Sequence, residues 1–202
     1  MKVIETAIPG VLLLEPQVFS DARGCFLEIY NERAFAGQGL PDHFVQDNQS
    51  HSNRGVLRGL HYQRQQAQGK LVRVLQGEVF DVAVDLRTES RTFGKWVGER
   101  LSSSNRKMIW IPRGLAHGFL TLSETADVAY KVTDFWAPQF EKTLVWNDPD
   151  VAIVWPPLDG EPILSDKDRR GHTPSKNLSG RLARGTSYSS KGRSSATGRA
   201  SR

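Results

Sequence analysis

The stretch Glu78-Val79-Phe80-Asp81-Val82-Ala83-Val84-Asp85-Leu86 decides the fold class. Apolar side chains occupy every even-numbered position from Phe80 onward, which is the period of a β-strand with one buried face. The run Lys70–Leu75 precedes it, and only Gln76-Gly77 separates the two runs, a spacing typical of a β-hairpin.

The rest of the first 150 residues consists mainly of short apolar runs separated by Gly, Pro, Asn and Ser. This pattern predicts an all-β sandwich or barrel rather than βαβ units. One short helix is expected from Asn31, as its N-cap, through Phe35, closed by Gly37 or Gly39. The further predicted strands are Val11–Phe19, Phe26–Tyr30, Phe44–Asn48, Val56–Tyr62, Lys95–Leu101, Lys107–Ile111, His117–Leu122, Ala126–Phe135 and Leu144–Trp146.

The charge distribution divides the chain into a domain, residues 1–170, and a tail, residues 171–202. Nine of the 27 lysines and arginines follow Asp168 and no acidic residue does, so residues 1–168 hold 18 basic and 22 acidic side chains. The tail is rich in Ser, Gly and Arg, a composition that predicts disorder. Weak contact with nucleic acid or anionic lipid is the alternative, but Tyr188 is its lone aromatic, so specific nucleic-acid binding is not expected.

Several classes of protein are excluded by what the sequence lacks. It has no run of about 18 apolar residues, so no membrane span is expected, and its N-terminus does not read as a secretory signal. Cys25 is the single cysteine, which fits a cytoplasmic protein. The chain has neither a dinucleotide-binding glycine motif nor a P-loop, so no nicotinamide or ATP cofactor is expected.

The chemistry is concentrated in Arg58-Gly59-Leu60-His61-Tyr62-Gln63 and Gly69-Lys70-Leu71-Val72-Arg73-Val74. An imidazole is a base suited to neutral pH, and an ammonium can hold the oxyanion that forms when a proton leaves carbon. A guanidinium matches the geometry of a phosphate. Together these groups indicate carbon-acid chemistry on a phosphorylated substrate.

The segment Pro112–Gly118 resembles the second motif of the cupins, in which the histidine, here His117, is often a metal ligand. The first cupin motif normally offers two histidines one residue apart, whereas this chain has His61-Tyr62-Gln63. A mononuclear metal site needs about three protein ligands. The sequence therefore predicts a cupin without a metal.

Nearly the whole domain resembles the dTDP-4-dehydrorhamnose 3,5-epimerase family, a metal-free branch of the cupins. The matching motifs run in order from about residue 3 to residue 168. They are Asp21–Gly24, Phe44–Asn48, Val56–Gln63, Gln68–Arg73, Gly77–Asp85, Trp110–Pro112, Ala116–Phe119 and Leu164–Asp168.

This resemblance implies a cupin-type double-stranded β-helix, or jelly roll, with short peripheral helices. It implies an isomerase that needs no cofactor and inverts C3 and C5 of dTDP-4-dehydro-6-deoxy-D-glucose, giving dTDP-4-dehydro-L-rhamnose for dTDP-L-rhamnose biosynthesis. It also implies a homodimer in which an N-terminal strand crosses to the partner.

The resemblance assigns a role to four catalytic residues. His61 is the expected base and Asp168 the carboxylate that holds its ring, as in other His–Asp pairs. Tyr130 is the expected acid on the far face of the sugar, and Lys70 the cation at the enolate oxygen.

The resemblance also implies a set of substrate contacts. Arg23 and Arg58 match diphosphate contacts, and amide side chains suit the edge of a pyrimidine. Phe135 and Trp136 either line the pocket or belong to the core. The other expected contacts are Glu28, Gln46, Asp47, Asn48, His117, Glu141 and Lys167.

Three other interpretations remain open from the sequence. One is an enzyme of the same fold that catalyses a different reaction, either as an epimerase acting at one carbon or as a related keto-sugar isomerase. A second is a non-catalytic cupin that binds sugar nucleotides. A third is a metal-dependent cupin oxygenase using His61 and His117.

Overall fold

Two antiparallel sheets form the body of the computed structural model, which describes residues 1–41 and 43–173. The larger sheet has six strands in the order β1-β2-β10-β7-β12-β5. Their bounds are β1 Lys2–Glu5, β2 Leu12–Glu15, β10 Met108–Ile111, β7 Lys70–Gln76, β12 Thr125–Val132 and β5 Gln46–Asn53.

The smaller sheet has five strands in the order β13-β6-β11-β8-β9, and a separate hairpin pairs β3 with β4. These seven strands are β13 Glu141–Thr143, β6 Leu57–Gln63, β11 Leu115–Thr121, β8 Glu78–Asp85, β9 Trp96–Ser102, β3 Val18–Asp21 and β4 Gly24–Leu27. The helices are short and peripheral: α1 Glu32–Ala36, the 3₁₀ helix Pro138–Phe140 and α2 Asp166–Arg169. The prediction of an all-β fold with short peripheral helices is confirmed.

Strand β8 is buried on both faces, so the prediction of one buried face is wrong. Val79 and Ala83 pack between the two sheets, in the same cluster as Val72 and Ile109 of the larger sheet. The even-numbered side chains pack outside, where the C-terminal segment covers them and the Trp155 ring meets Phe80 edge to face at 6.0 Å. The alternation reflects two different apolar environments rather than core and solvent.

The Gln76-Gly77 pair does not form the predicted hairpin. β7 pairs with β10 and β12 in the larger sheet, while β8 pairs with β9 and β11 in the smaller one. Gly77 has φ +78°, and a Cβ there would lie 2.1 Å from the Thr125 carbonyl oxygen. A glycine is required because this tight turn carries the chain from one sheet to the other.

Several predicted elements change their bounds. The run Val11–Phe19 breaks at Pro16 into β2 and β3, because proline cannot donate a hydrogen bond to a sheet. β5 continues past the predicted strand end at Asn48 as far as Asn53, because this polar edge strand pairs with β12 over that length. The predicted helix is confirmed: the Asn31 side chain caps its first turn and Gly37 closes it.

The C-terminal part of the domain contains two elements that the sequence analysis missed, β13 and α2. Pairing extends beyond β13 through backbone hydrogen bonds between residues 143–145 and His172. The described structure thus continues through Thr173, three residues past the predicted domain end. The predicted disorder of the tail concerns residues outside those that the structure describes. Within the described residues, no helix is long and apolar enough to cross a membrane.

Asp85 organises the turn after β8. Its fully buried carboxylate accepts hydrogen bonds from the Arg87 guanidinium at 2.9 and 2.7 Å, Ser90 Oγ at 2.6 Å and Thr92 Oγ1 at 2.7 Å. Burial raises the pKa of Asp85, but these donors outweigh burial and bring the pKa down to about 2. Asp85 is therefore ionised in the folded protein at neutral pH.

Asp85→Asn is expected to lower the free energy of unfolding by about 2–4 kcal/mol, because Arg87 would lose its buried counter-charge. Urea denaturation measures this, with the exposed Asp159→Asn as the matched control. Because the folded pKa lies below the ordinary aspartate value of 3.8, the stabilisation is present above pH 3.8 and lost as the pH falls to about 2. Equal stability of the two variants would contradict this role for Asp85.

Candidate active site

A cavity of about 250 Å³ opens between the two sheets and collects most of the predicted catalytic groups. Both sheets and the segment after β12 contribute to its wall. The lining residues are Gln46, Asn48, His61, Tyr62, Gln63, Gln68, Lys70, Tyr130, Trp136 and Glu141.

His61 and Asp168 form a hydrogen-bonded pair at the wall of this cavity. His61 Nε2 lies 2.6 Å from Asp168 Oδ1, and Ser165 Oγ donates to Asp168 Oδ2 at 2.7 Å. Burial raises the pKa of Asp168, but hydrogen bonds from His61, Ser165 and the Gly59 N–H outweigh burial and hold this pKa below its ordinary value. Because the carboxylate accepts, His61 Nε2 carries a proton, and in the neutral ring Nδ1 is the nitrogen that keeps its lone pair.

The position of His61 depends on a close approach of β6 to β11. A Cβ at Gly59 would lie 2.5 Å from Gly118 Cα, and one at Gly118 would lie 2.5 Å from the Arg58 carbonyl oxygen. Both positions therefore require glycine. The approach sets His61 directly opposite His117 in the register of the two strands.

Lys70 is the buried cation of the cavity. It is 9% exposed, and its Nζ lies 3.5 Å from the His61 carbonyl oxygen. Burial lowers its pKa to about 8, against the opposing pull of the Asp81 and Glu141 carboxylates. The ammonium is thus charged at neutral pH and close to its midpoint.

Tyr130 enters the cavity from the opposite sheet. It lies on β12, paired with Asn48 of β5 and Val72 of β7, whereas His61 lies on β6 of the smaller sheet. Burial raises the pKa of Tyr130, and the Glu141 carboxylate raises it further. Its phenol therefore stays protonated throughout the neutral range.

Two amide side chains of β5 also face the cavity, because residues two apart on a strand point to the same side. Gln46 Nε2 donates to Asn48 Oδ1 at 2.8 Å, and Gln46 Oε1 accepts from the Trp136 N–H at 3.1 Å. Trp136 is 57% exposed and Phe135 58% exposed, so neither belongs to the core. Trp136 lines the cavity, which was one of the two positions predicted for it.

Glu141 joins the edge of the cavity to α2. Its carboxylate pairs with Lys167 Nζ at 2.6 Å and accepts from Trp136 Nε1 at 3.4 Å. Lys167 itself is 47% exposed and lies outside the lining. Its neighbour Asp168 holds His61, so α2 makes polar contacts with both β13 and β6.

Three predicted substrate contacts lie outside the cavity lining. Asp47 is on the opposite face of β5, where it pairs with Lys131 at 2.9 Å beside a second cavity of about 350 Å³. His117 is 6% exposed and bonded to Asp81. The Arg58 guanidinium binds Ser52 Oγ at 2.9 Å and the carbonyl oxygen at position 51. Their roles toward a substrate stay predictions.

Arg23 and Glu28 are also away from the lining. Arg23 is in the turn of the β3–β4 hairpin, 90% exposed and paired with Asp21. Glu28 is exposed just after that hairpin and accepts from Asn31 at 3.1 Å. Phe19 and Phe26 face each other in the hairpin register and are 55% and 69% exposed.

Sequence analysis overlooked several members of this site. Gln63 follows His61 by two residues on the same strand, so alternation signalled that it shares the cavity face. Tyr62 and Gln68 also line the cavity without an assigned role. Ser165 donates to the carboxylate of the His61–Asp168 pair, and Asp81 is the carboxylate bonded to His117; no local pattern identified either contact.

The described residues contain no group of three or more His, Cys, Asp or Glu side chains placed to hold a metal ion. His61 and His117, the two histidines of the cupin motifs, are each bonded through Nε2 to a separate carboxylate.

Comparison with known proteins supports the resemblance to the dTDP-4-dehydrorhamnose 3,5-epimerase family. A family model described as dTDP-4-dehydrorhamnose 3,5-epimerase matches residues 5–175. The dTDP-4-dehydrorhamnose 3,5-epimerase of Pseudomonas aeruginosa is 63% identical over 172 residues, which is 85% of this chain and 94% of that protein.

Solved structures show the same fold. A dTDP-6-deoxy-D-glucose-3,5-epimerase from Legionella pneumophila, crystallised with dTDP-4-keto-L-rhamnose, is 50% identical with a TM-score of 0.83, covering 86% of this chain and 92% of its own. A 3'-monoepimerase from Streptomyces bikiniensis, in complex with dTDP-quinovose, is 33% identical with a TM-score of 0.81, covering 88% of this chain and 90% of its own.

The predicted cupin-type fold is confirmed by these structures, and the family model covers nearly all of the described residues. This chain belongs to the dTDP-4-dehydrorhamnose 3,5-epimerase family of isomerases.

Proposed function

We propose that this chain is a dTDP-4-dehydrorhamnose 3,5-epimerase that inverts C3 and C5 of dTDP-4-dehydro-6-deoxy-D-glucose. One observation carries the proposal: His61 and Tyr130 line one cavity from opposite sheets, with the Lys70 ammonium beside them. Inversion at carbon requires a base and an acid on opposite faces of the sugar, and this arrangement supplies them.

The first half of each inversion is removal of a proton next to the C4 ketone. His61 Nδ1 takes the proton, and the electron pair of the C–H bond moves into the carbonyl to form an enolate. Asp168 accepts from Nε2, which holds the ring and stabilises the imidazolium that results. The Lys70 ammonium offsets the new charge on the enolate oxygen, where a buried cation acts most strongly.

The second half returns a proton to the other face of the same carbon. The Tyr130 phenol donates it, the C4 carbonyl re-forms, and the configuration is inverted. The raised pKa of Tyr130 ensures that the phenol still holds its proton when the enolate forms. Exchange with solvent then reprotonates the phenolate and takes the proton from His61.

The dTDP group provides binding energy that orients the sugar. We assign Gln46 and Asn48 to the thymine, since both amides face the cavity. Arg58 and Arg23 are assigned to the diphosphate, because a guanidinium matches its geometry. Glu141 and Lys167 are assigned to the sugar end of the substrate.

A homodimer is part of the proposal. Arg23 is at the tip of a hairpin that exposes Phe19 and Phe26, away from the cavity of its own chain. Large exposed aromatic residues are typical of protein interfaces. Packing of this hairpin on the partner would bury both rings and bring Arg23 to the partner's cavity.

A cytoplasmic location completes the proposal. It is supported by Cys25, an exposed free cysteine. Such a thiol stays reduced in the cytoplasm.

A single epimerisation is the second candidate, because the 3'-monoepimerase shares the fold with a TM-score of 0.81. Incubation of the EDTA-treated protein with substrate in deuterium oxide is expected to place deuterium at both C3 and C5. His61→Ala is expected to abolish labelling at both carbons, whereas Tyr130→Phe should retain slow labelling without inversion. NMR of the sugar measures both position and configuration.

Label at one carbon would favour the single epimerase. If the intact protein exchanges neither proton, a non-catalytic protein that binds sugar nucleotides would be the better interpretation. Activity that disappears with EDTA and returns with iron or manganese would instead favour the metal-dependent cupin.

The pH dependence of kcat/KM is expected to show a basic limb near pH 8. Lys70 loses its proton as the pH rises through about 8, so the enolate loses its cation, whereas Tyr130 has a raised pKa and stays protonated. Lys70→Arg should remove the limb, because a guanidinium keeps its charge. A limb that persists unchanged in that variant would assign it to another group.

Mixing two inactive variants tests the dimer. Arg23→Glu and His61→Ala homodimers should each have little activity, but after co-refolding the heterodimers contain one intact site if Arg23 acts across the interface. Random pairing then gives about one quarter of wild-type activity. Sedimentation equilibrium confirms the dimer mass. Absence of recovery in a mixture that contains heterodimers would place Arg23 in its own chain's site.

A further inference from the structure

Gln63 lines the cavity, yet its amide is bonded to three backbone groups of its own chain. The residue is 7% exposed. Its Nε2 donates to the Gln66 carbonyl oxygen at 2.6 Å and to the Phe135 carbonyl oxygen at 3.2 Å. Its Oε1 accepts from the Ala137 N–H at 2.9 Å. A primary amide has two donor hydrogens, and both are used within the chain, so Gln63 has no donor left for a substrate.

Two of these three bonds go to the connection between β12 and β13, residues 133–140. β12 belongs to the larger sheet and β13 to the smaller one, so this connection passes from one sheet to the other at the edge of the cavity. Trp136 lies in the middle of the connection, lines the cavity and is 57% exposed. Its indole therefore offers an open aromatic surface to a bound molecule.

The backbone around Trp136 is held by a glutamine from each sheet. Gln63 of β6 binds the carbonyl oxygen of the residue before Trp136 and the N–H of the residue after it. Gln46 of β5 accepts from the N–H of Trp136 itself at 3.1 Å. The indole donates from Nε1 to Glu141 over a longer distance, 3.4 Å, and more than half of the residue is exposed. The position of the indole is therefore set mainly by the backbone bonds.

Gln63 also holds the loop between β6 and β7, residues 64–69. Gln66 in this loop has φ +50°, a conformation that residues other than glycine rarely adopt, and Gln63 binds its carbonyl oxygen. Gln68 of the same loop donates to the Asp134 carbonyl oxygen at 2.9 Å. The loop and the connection that carries Trp136 are thus joined at the cavity edge, and the Gln63 amide contacts both of them.

We propose that Gln63 is a positioning residue that holds Trp136 in the wall of the cavity, so that the indole is in place before the sugar nucleotide binds. A side chain that is ordered in advance raises affinity, because binding then does not have to order it. The inference rests on the proposed function for the identity of the ligand. The position of Trp136 in the protein without ligand does not depend on that function.

The first measurement is ¹⁹F NMR of the ligand-free protein labelled with 5-fluorotryptophan, in which Trp136→Phe assigns one of the five tryptophan signals. Gln63→Met removes all three hydrogen bonds and keeps a side chain of similar length. It is expected to shift or split the Trp136 signal more than that of any other tryptophan. Gln139→Met is the matched control, because it makes the same change at an exposed position of the same connection, and it should leave the Trp136 signal unchanged.

The second measurement is the affinity for dTDP-glucose, a sugar nucleotide without the C4 ketone, by titration calorimetry. Gln63→Met is expected to raise its Kd, and the KM of the keto-sugar substrate, about tenfold, with kcat changed by no more than about twofold. Trp136→Ala should weaken binding by a similar factor. Adding Gln63→Met to Trp136→Ala should weaken it little further, because both changes remove the same contact. Additive effects would overturn the proposal.

An unchanged Trp136 signal or an unchanged dTDP-glucose affinity in folded Gln63→Met would also overturn it. Gln63→Glu provides a second variant should Gln63→Met fail to fold. It keeps an acceptor for the Ala137 N–H but sets a carboxylate against the carbonyl oxygens of Gln66 and Phe135, so the signal should shift and the affinity should fall. Wild-type behaviour in this variant would contradict the proposal. A protein that shows the expected changes in signal and affinity but does not epimerise its substrate would refute the proposed function and support the role of Gln63.

Discussion

The hydrogen bond between His61 Nε2 and Asp168 Oδ1 joins residues 107 positions apart, and the site depends on it. It attaches α2 to the smaller sheet and fixes which ring nitrogen faces the cavity. Ser165 and the Gly59 N–H also donate to Asp168, and together with His61 they hold the pKa of this carboxyl below its ordinary value despite burial. A protonated Asp168 would no longer select one tautomer of His61, and Nδ1 would lose its role as the proposed base.

This fold buries charged side chains, and burying a charge costs free energy unless the charge is compensated. Asp81 and Asp85 lie on the same face of β8 and are both fully buried, yet they are stabilised in different ways. Asp85 is surrounded by donors, including the Arg87 guanidinium, and its charge serves the fold. Asp81 instead accepts from His117 Nε2, which is itself buried beside it.

Prediction from sequence succeeded where the signal is local. The cap at Asn31 and the apolar runs of β7, β8 and β12 depend on neighbouring residues, and the structure has these elements. Prediction failed where partners are distant. Gln76-Gly77 has the composition of a hairpin turn, but β7 and β8 enter different sheets because their pairing partners are strands later in the chain. The second buried face of β8 depends on Trp155, whose approach no local pattern indicates.

By itself, the sequence determined the all-β class, the motifs of the epimerase family and the identity of His61, Lys70, Tyr130 and Asp168 as chemical groups. Only the tertiary structure decided that His61 and Tyr130 come from opposite sheets, that Asp47 and His117 lie outside the cavity lining, and that Asp81 is bonded to His117. The physical reason is that side-chain chemistry is a property of single residues. Burial, pKa and the face from which a group acts are instead set by strands that are far apart in the chain and adjacent in the fold.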